Sequence, residues 1–308
     1  MISDFLLLLG GLALLAAGAE YLVKGSVSLA NRLRVPPLLI GLTVVGFGTS
    51  MPELMVSLKA ALDGAPAIAI GNVVGSNTAN ILLIIGAAAL ISPIKAEIPN
   101  LGRDLMMMLM AAIVMLGLGF LGVIARLTGF IALIILVGYL IRVTVTDRAN
   151  HRLVEAELTI KLPIWMEVIY VLGGLAALIL GARFLIGSAT GMARTFGISE
   201  AVIGLTIVAV GTSLPELATS LVAAFRRQSE IAIGNVVGSN IFNVLGILGI
   251  TALIKPVPID RSMAGFDIPF MAAVSLAFAV VILRFKYLSR PVGALMIAMY
   301  TGYVAWLF

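Results

Sequence analysis

Residues 41–86 read GLTVVGFGTSMPELMVSLKAALDGAPAIAIGNVVGSNTANILLIIG, and residues 204–249 read GLTIVAVGTSLPELATSLVAAFRRQSEIAIGNVVGSNIFNVLGILG. The two align without a gap at a constant offset of 163, and 28 of the 46 positions are identical. Each copy places a glutamate directly after a proline, Glu53 after Pro52 and Glu216 after Pro215, in otherwise apolar sequence. Apolar segments interrupted by Gly and Pro at corresponding places in two halves point to a transporter's binding site. The reading is a membrane ion transporter with one site assembled from both copies.

Composition narrows the class. The chain is 61% hydrophobic and 11% charged, with mean hydropathy +1.16, whereas soluble domains carry about 25% charged residues. Cysteine is absent, which removes thiolate chemistry. The single histidine, His151, falls in a polar stretch and leaves a serine hydrolase without a base. The net charge of +5 resides in short loops. It therefore reads as a topology signal, and no nucleic-acid or obligatory protein partner is expected.

A span needs about 20 apolar residues. Ten are expected: 3–30, 37–61, 66–91, 105–124, 128–146, 164–191, 199–225, 230–254, 267–284 and 291–307. The first lacks the basic start of a leader peptide and is read as a retained helix. Thirteen lysines and arginines fall on one side and five on the other. That bias puts the first group in the cytoplasm and both termini outside, in a plasma membrane. Five spans separate the copies, so the second enters the bilayer upside down. The expected fold is an all-α polytopic membrane protein with ten transmembrane helices in two inverted five-helix repeats. Residues 1–146 form the first half, 147–163 a short cytoplasmic linker, and 164–308 the second half.

A carboxylate at membrane depth costs about 2.5 kcal/mol or more, so Glu53 and Glu216 are functional candidates. Thr49 and Ser50 lie four and three residues before Glu53 and share its helix face, as Thr212 and Ser213 do for Glu216. Pro52 and Pro215 clash with the carbonyl four residues back, which frees carbonyls around Gly46–Thr49 and Ala209–Thr212. GNVVGSNxxN sets Ser76 one turn from Asn80 and Ser239 one turn from Asn243. Asn72 and Asn235 extend that stripe or cap broken helices. Glycines 71, 75, 234 and 238 permit close helix approach. Two carboxylates, hydroxyls, amide oxygens and carbonyls suit a hard cation such as Ca²⁺, which takes about 6–8 oxygens. Na⁺ ions can share the same oxygens singly. Glu20 with Lys24 reads as a structural i,i+4 pair, and Met106–Met110 as lipid-facing or gap-filling.

GTSxPE and GNVVGSNxxN, present in both copies, resemble the alpha repeats of the sodium/calcium exchanger family, within the cation/calcium antiporter superfamily. The short linker makes this chain similar to a compact prokaryotic-type member. The resemblance implies antiport of three Na⁺ against one Ca²⁺, with the ions as substrates, the bilayer as surroundings and no cofactor or enzyme activity. It also implies sliding of the first and sixth helices. Matched motif positions make the ligands Glu53, Thr49, Ser50 and the Gly46 carbonyl, with Ser76 and Asn80. From the second copy come Glu216, Thr212, Ser213 and the Ala209 carbonyl, with Ser239 and Asn243. The chain departs at Asn243, where several prokaryotic members and the potassium-dependent branch carry Asp. Three rivals stand beside this reading. They are a proton/Ca²⁺ antiporter using both glutamates as proton carriers, a passive cation channel, and an intramembrane hydrolase.

Overall fold

The computed structural model describes residues 2–151, 162–195 and 209–307, and they are almost entirely helical. The helices of the first half are α1 (Ile2–Leu33), α2 (Pro37–Thr49), α3 (Met51–Leu62), α4 (Pro66–Ile91), α5 (Leu101–Leu121) and α6 (Arg126–His151). The second half has α7 (Ile164–Thr195), α8 (Ala209–Thr212), α9 (Leu214–Phe225), α10 (Ser229–Ile254), α11 (Arg261–Phe285) and α12 (Arg290–Leu307).

Among the described residues seven helices are long and apolar enough to cross a membrane, eight if α2 and α3 are one bent span. Two expected spans fall short of that standard. One is α9, of 12 residues, whose expected start at 199 lies outside the described residues. The other is α12, of 18 residues. The chain is an integral multi-pass membrane protein. The expected linker start is displaced, because α6 continues through His151 and Asp147 is buried, bonded to Arg103 at 2.7 Å. An ion pair at a helix end holds that turn where a solvated linker was expected; residues 152–161 lie outside the described set.

Four short strands show how the halves are related. β1 (Ile94–Lys95) pairs with β4 (Tyr287–Leu288), and β2 (Val123–Ile124) with β3 (Val257–Pro258). β1 lies just before α5 and β2 just after it, so the two ribbons stand about 31 Å apart, the length of a 21-residue helix. Adding 163 to Ile94 gives Val257, so β1 and β3 are equivalent, yet they sit at opposite ends of α5. Equivalent elements on opposite faces are the geometry of an inverted repeat.

Two glycine-lined crossings hold the rest. α1 and α7 run antiparallel, and a Cβ on Gly18 would come within 2.9 Å of the Gly174 carbonyl, or one on Gly181 within 2.8 Å of Gly11's. Arg32 and Ser28 close one end of that pair on Glu167 at 2.5 and 2.6 Å. Glu20 keeps the expected Lys24 pair at 2.9 Å and also bonds Arg226, beyond α9. In the second crossing α2 lies across α10, where a Cβ on Gly238 would stand 2.3 Å from the Leu42 carbonyl. A Cβ on Gly234 would stand 2.7 Å from the Leu38 carbonyl; positions 201 and 205, which correspond to Leu38 and Leu42, lie outside the described residues. Of the methionine run, Met106 and Met110 are exposed on the apolar surface and Met107 and Met108 fill the core.

The α2–α10 crossing is testable. Gly238→Ala is expected to lower the thermal midpoint of the detergent-purified protein by several degrees, since overpacking costs about 1–3 kcal/mol. A midpoint equal to the parent's would contradict the crossing.

Candidate cation site

The span expected at 37–61 is not continuous. It bends by 44° between α2 and α3. Ser50 sits in the break at φ −82°, ψ 8°, and Ser213 repeats it at φ −87°, ψ 7° before α9. These values lie in the sparsely populated bridge region where many active-site residues are found. Pro52 and Pro215 are tolerated because they fall in the first turn of α3 and α9, where a missing N–H leaves nothing unpaired.

Each serine stands at an N-cap position but makes no side-chain cap. Its hydroxyl instead crosses to the other half. Ser50 Oγ donates to Glu216 Oε1 at 2.8 Å, and Ser213 Oγ donates to Glu53 Oε1 at 3.0 Å. Glu53 and Glu216 are both buried, in the first turns of α3 and α9, where the positive ends of the helix dipoles favour a carboxylate.

The same exchange of partners governs the asparagines of α4 and α10. Asn72 Nδ2 donates to the Glu53 carbonyl at 3.1 Å and to Ser57 Oγ at 2.9 Å. Asn235 Nδ2 does the same for the Glu216 carbonyl, at 3.2 Å, and Ser220 Oγ, at 2.9 Å. Their oxygens accept from the opposite threonines: Thr49 Oγ1 reaches Asn235 Oδ1 at 3.1 Å, and Thr212 Oγ1 reaches Asn72 Oδ1 at 3.4 Å. Asn72 and Asn235 thus clamp the backbone at each glutamate. Ser57 and Ser220, which the motif reading passed over, carry a visible signal, being identical in the two copies.

Carbonyls around Gly46–Thr49 and Ala209–Thr212 were expected to be free. The Gly46 carbonyl is engaged instead, accepting the Ser239 hydroxyl at 3.1 Å and the Ser50 N–H at 3.2 Å. The bend at Ser50 leaves an i−4 amide aimed at Gly46, and the tight α2–α10 crossing delivers Ser239. Ala209 opens the described stretch of α8. The hydroxyl of Ser76, the equivalent of Ser239, lies 3.2 Å from that of Ser213.

Among the described residues, four carboxylate and amide oxygens of this site have no hydrogen-bond donor: Glu53 Oε2, Glu216 Oε2, Asn80 Oδ1 and Asn243 Oδ1. All are buried, and they form two pairs related by the offset of 163. A buried acceptor left without a donor costs about 1–3 kcal/mol, more if charged, and a cation removes that cost. Asn80 and Asn243 stand in wide π-helical turns, Asn80–Ile85 and Phe242–Ile247, of the kind that marks functional positions. Among the described residues no cluster of three or more His, Cys, Asp or Glu occurs. The charge of this oxygen set is therefore that of two glutamates.

A family model described as sodium/calcium exchanger protein matches residues 3–145 and 166–308, one match to each half. The chain belongs to the sodium/calcium exchanger family. It is 33% identical over 344 residues to the sodium/calcium exchanger MaX1 of Methanosarcina acetivorans, covering 99% of this chain and 98% of that one. It is also 37% identical to the putative antiporter CaxA of Alkalimonas amylolytica, covering 100% and 99%. The structure of the sodium-calcium exchanger NCX_Mj soaked with zero Na⁺ and Ca²⁺ matches with a TM-score of 0.88 at 31% identity, covering 100% of this chain and 99% of that one. This exchanger is a cation/Ca²⁺ antiporter and not an enzyme, and Na⁺ and Ca²⁺ are its substrates.

The crossed hydroxyls predict a graded effect. Ser50→Ala and Ser213→Ala are each expected to raise the Ca²⁺ concentration for half-maximal uptake by about tenfold, the loss of one hydrogen bond to a charged group. Uptake by reconstituted protein across a Ca²⁺ series measures it, and an unchanged midpoint would remove these serines from the site.

Proposed function

We propose that this exchanger moves three Na⁺ one way and one Ca²⁺ the other by alternating access, normally extruding Ca²⁺ from the cytoplasm. The observation that carries the reading is the set of four undonated, buried oxygens contributed equally by the two halves. Two carboxylates neutralise Ca²⁺, and the two amide oxygens add neutral ligands of the hard kind it takes. Thr49, Ser50, Thr212, Ser213, Ser76 and Ser239 line the same joints and supply hydroxyls for Na⁺, with the Gly46 and Ala209 carbonyls beside them. In this reading Gly46 exchanges its present donors for an ion when Na⁺ binds.

With Asn at 243 the site carries two negative charges, so three Na⁺ leave one positive charge uncompensated. Three-for-one exchange moves one net charge per cycle, worth about 2.3 kcal/mol per 100 mV. An inside-negative plasma membrane therefore drives Ca²⁺ out. Orientation follows from charge: Lys95, Arg227 and Arg290 gather at the β1–β4 ribbon. Pro258, Gly64 and Arg126 hold the equivalent places at the other end. The β1–β4 end is then cytoplasmic, the short linker after α6 lies on that side, and both termini are outside. The inverted layout of five helices per half, ten in all, completes the reading.

Liposomes containing the purified protein, loaded with Na⁺ and diluted into Na⁺-free buffer with Ca²⁺, test it. Uptake is expected to require internal Na⁺ and to accelerate when the interior is clamped positive, because net positive charge leaves. Uptake indifferent to Na⁺ but driven by a proton gradient would make the glutamates proton carriers instead. Glu53→Gln and Glu216→Gln are each expected to abolish exchange, and near-normal flux in either would overturn the assignment. Asn243→Asp is expected to change Na⁺ activation more than Ca²⁺ affinity, read from Na⁺ titrations of the same uptake.

A further inference from the structure

Asn77 and Asn240 follow Ser76 and Ser239 directly and are buried, and no role in the motifs has been given to them. Asn77 Nδ2 donates to the Asn240 backbone carbonyl at 3.3 Å, and Asn240 Nδ2 donates to the Asn77 carbonyl at 3.3 Å. A backbone carbonyl only accepts, so it settles which way each amide points. The nitrogens face the opposite backbone, and the side-chain oxygens are turned outward from that contact. Those oxygens meet the next asparagines. Asn77 Oδ1 accepts from Asn243 Nδ2 at 2.9 Å, and Asn240 Oδ1 accepts from Asn80 Nδ2 at 3.0 Å. An amide oxygen also only accepts, so Asn80 and Asn243 must offer it nitrogen, and their own oxygens turn away. Those are the two amide oxygens without a donor.

We propose that Asn77 and Asn240 are positioning residues that set the amide polarity of Asn243 and Asn80, so that each presents oxygen rather than NH₂ to the transported cation. The proposal rests on the reading of Asn80 and Asn243 as ligands. An asparagine amide has nearly the same shape either way round, so packing alone does not choose. The two glutamate oxygens without donors favour the wrong choice, since a carboxylate attracts an NH₂ group. The relay opposes this through two fixed acceptors in series. Reversing Asn243 would set its oxygen against Asn77 Oδ1 and strip its nitrogen of that partner. The relay is crossed as well, because each half's polarity is dictated by a side chain of the other.

Ca²⁺ binding to the purified, detergent-solubilised exchanger, measured by titration calorimetry with Ca²⁺ as the probe, tests this through double mutants. Asn77→Leu keeps volume and removes the relay. It is expected to weaken Ca²⁺ binding by about tenfold or more, the loss of a hydrogen-bond-strength contact to a charge. In an Asn243→Ala background Asn77→Leu should cost nothing further, whereas with Asn80→Ala its effect should multiply. Asn240→Leu is expected to show the converse, coupled to Asn80 and independent of Asn243. Asn77→Asp, as the neutral acid, keeps an acceptor facing Asn243 and an O–H facing the Asn240 carbonyl, and should stay within about threefold of the parent at a pH low enough to keep it protonated. It is also the variant to rely on if the leucine disrupts folding. Equal coupling to both partners, or an Asn77→Asp loss as large as that of Asn77→Leu, would overturn the relay and leave the ligand reading standing. Unchanged binding in Asn80→Ala and Asn243→Ala would overturn both.

Discussion

Two buried carboxylates that neither half can satisfy alone set the terms for the rest of the molecule. Glu53 takes its hydroxyl from Ser213 and Glu216 takes its from Ser50. The backbone clamps on each glutamate come from its own half, through Asn72 and Asn235, but those asparagines are in turn held by threonines of the other. Reciprocal contacts of this kind are what a two-fold relation between like surfaces produces. Here the two surfaces belong to one chain, and the polar site is their shared interface. The tight α2–α10 crossing and the bends at Ser50 and Ser213 bring these groups within bonding range of each other.

The duplicated stretch made much of this legible. The spacing of Thr49, Ser50 and Glu53 set three polar groups on one face, and the odd number of intervening spans implied inversion, which the two ribbons display. What stayed hidden was polarity and partner. Asn72 and Asn80 look alike in a sequence, yet one spends every hydrogen-bonding group on the protein and the other keeps its oxygen free. That difference depends on which backbone carbonyl lies opposite, and sequence spacing within one helix carries no record of the neighbouring helix. The same reason concealed the filling of the Gly46 carbonyl.

The π-helical turns were also illegible, because NILLII and FNVLGI read as ordinary apolar helix. The end of α6 was misplaced for a different reason. A charged stretch after an apolar span suggests solvent, but Arg103 and Asn100 draw Asp147 back into the protein and the helix continues. Composition registers the charges without their pairing.

The two ribbons have a consequence for biogenesis. Each joins a strand of the first half to one of the second, and Ile94 meets Leu288 only after about 190 residues of further chain. β1 thus emerges as an unpaired edge and stays so through the insertion of nearly every later helix. Its partner strand comes immediately before the last helix, α12. Loss of the chain from residue 287 onward would therefore not trim a peripheral helix. It would leave the opening made by the first half at one face without its closing strand, although the β2–β3 ribbon at the other face could still form.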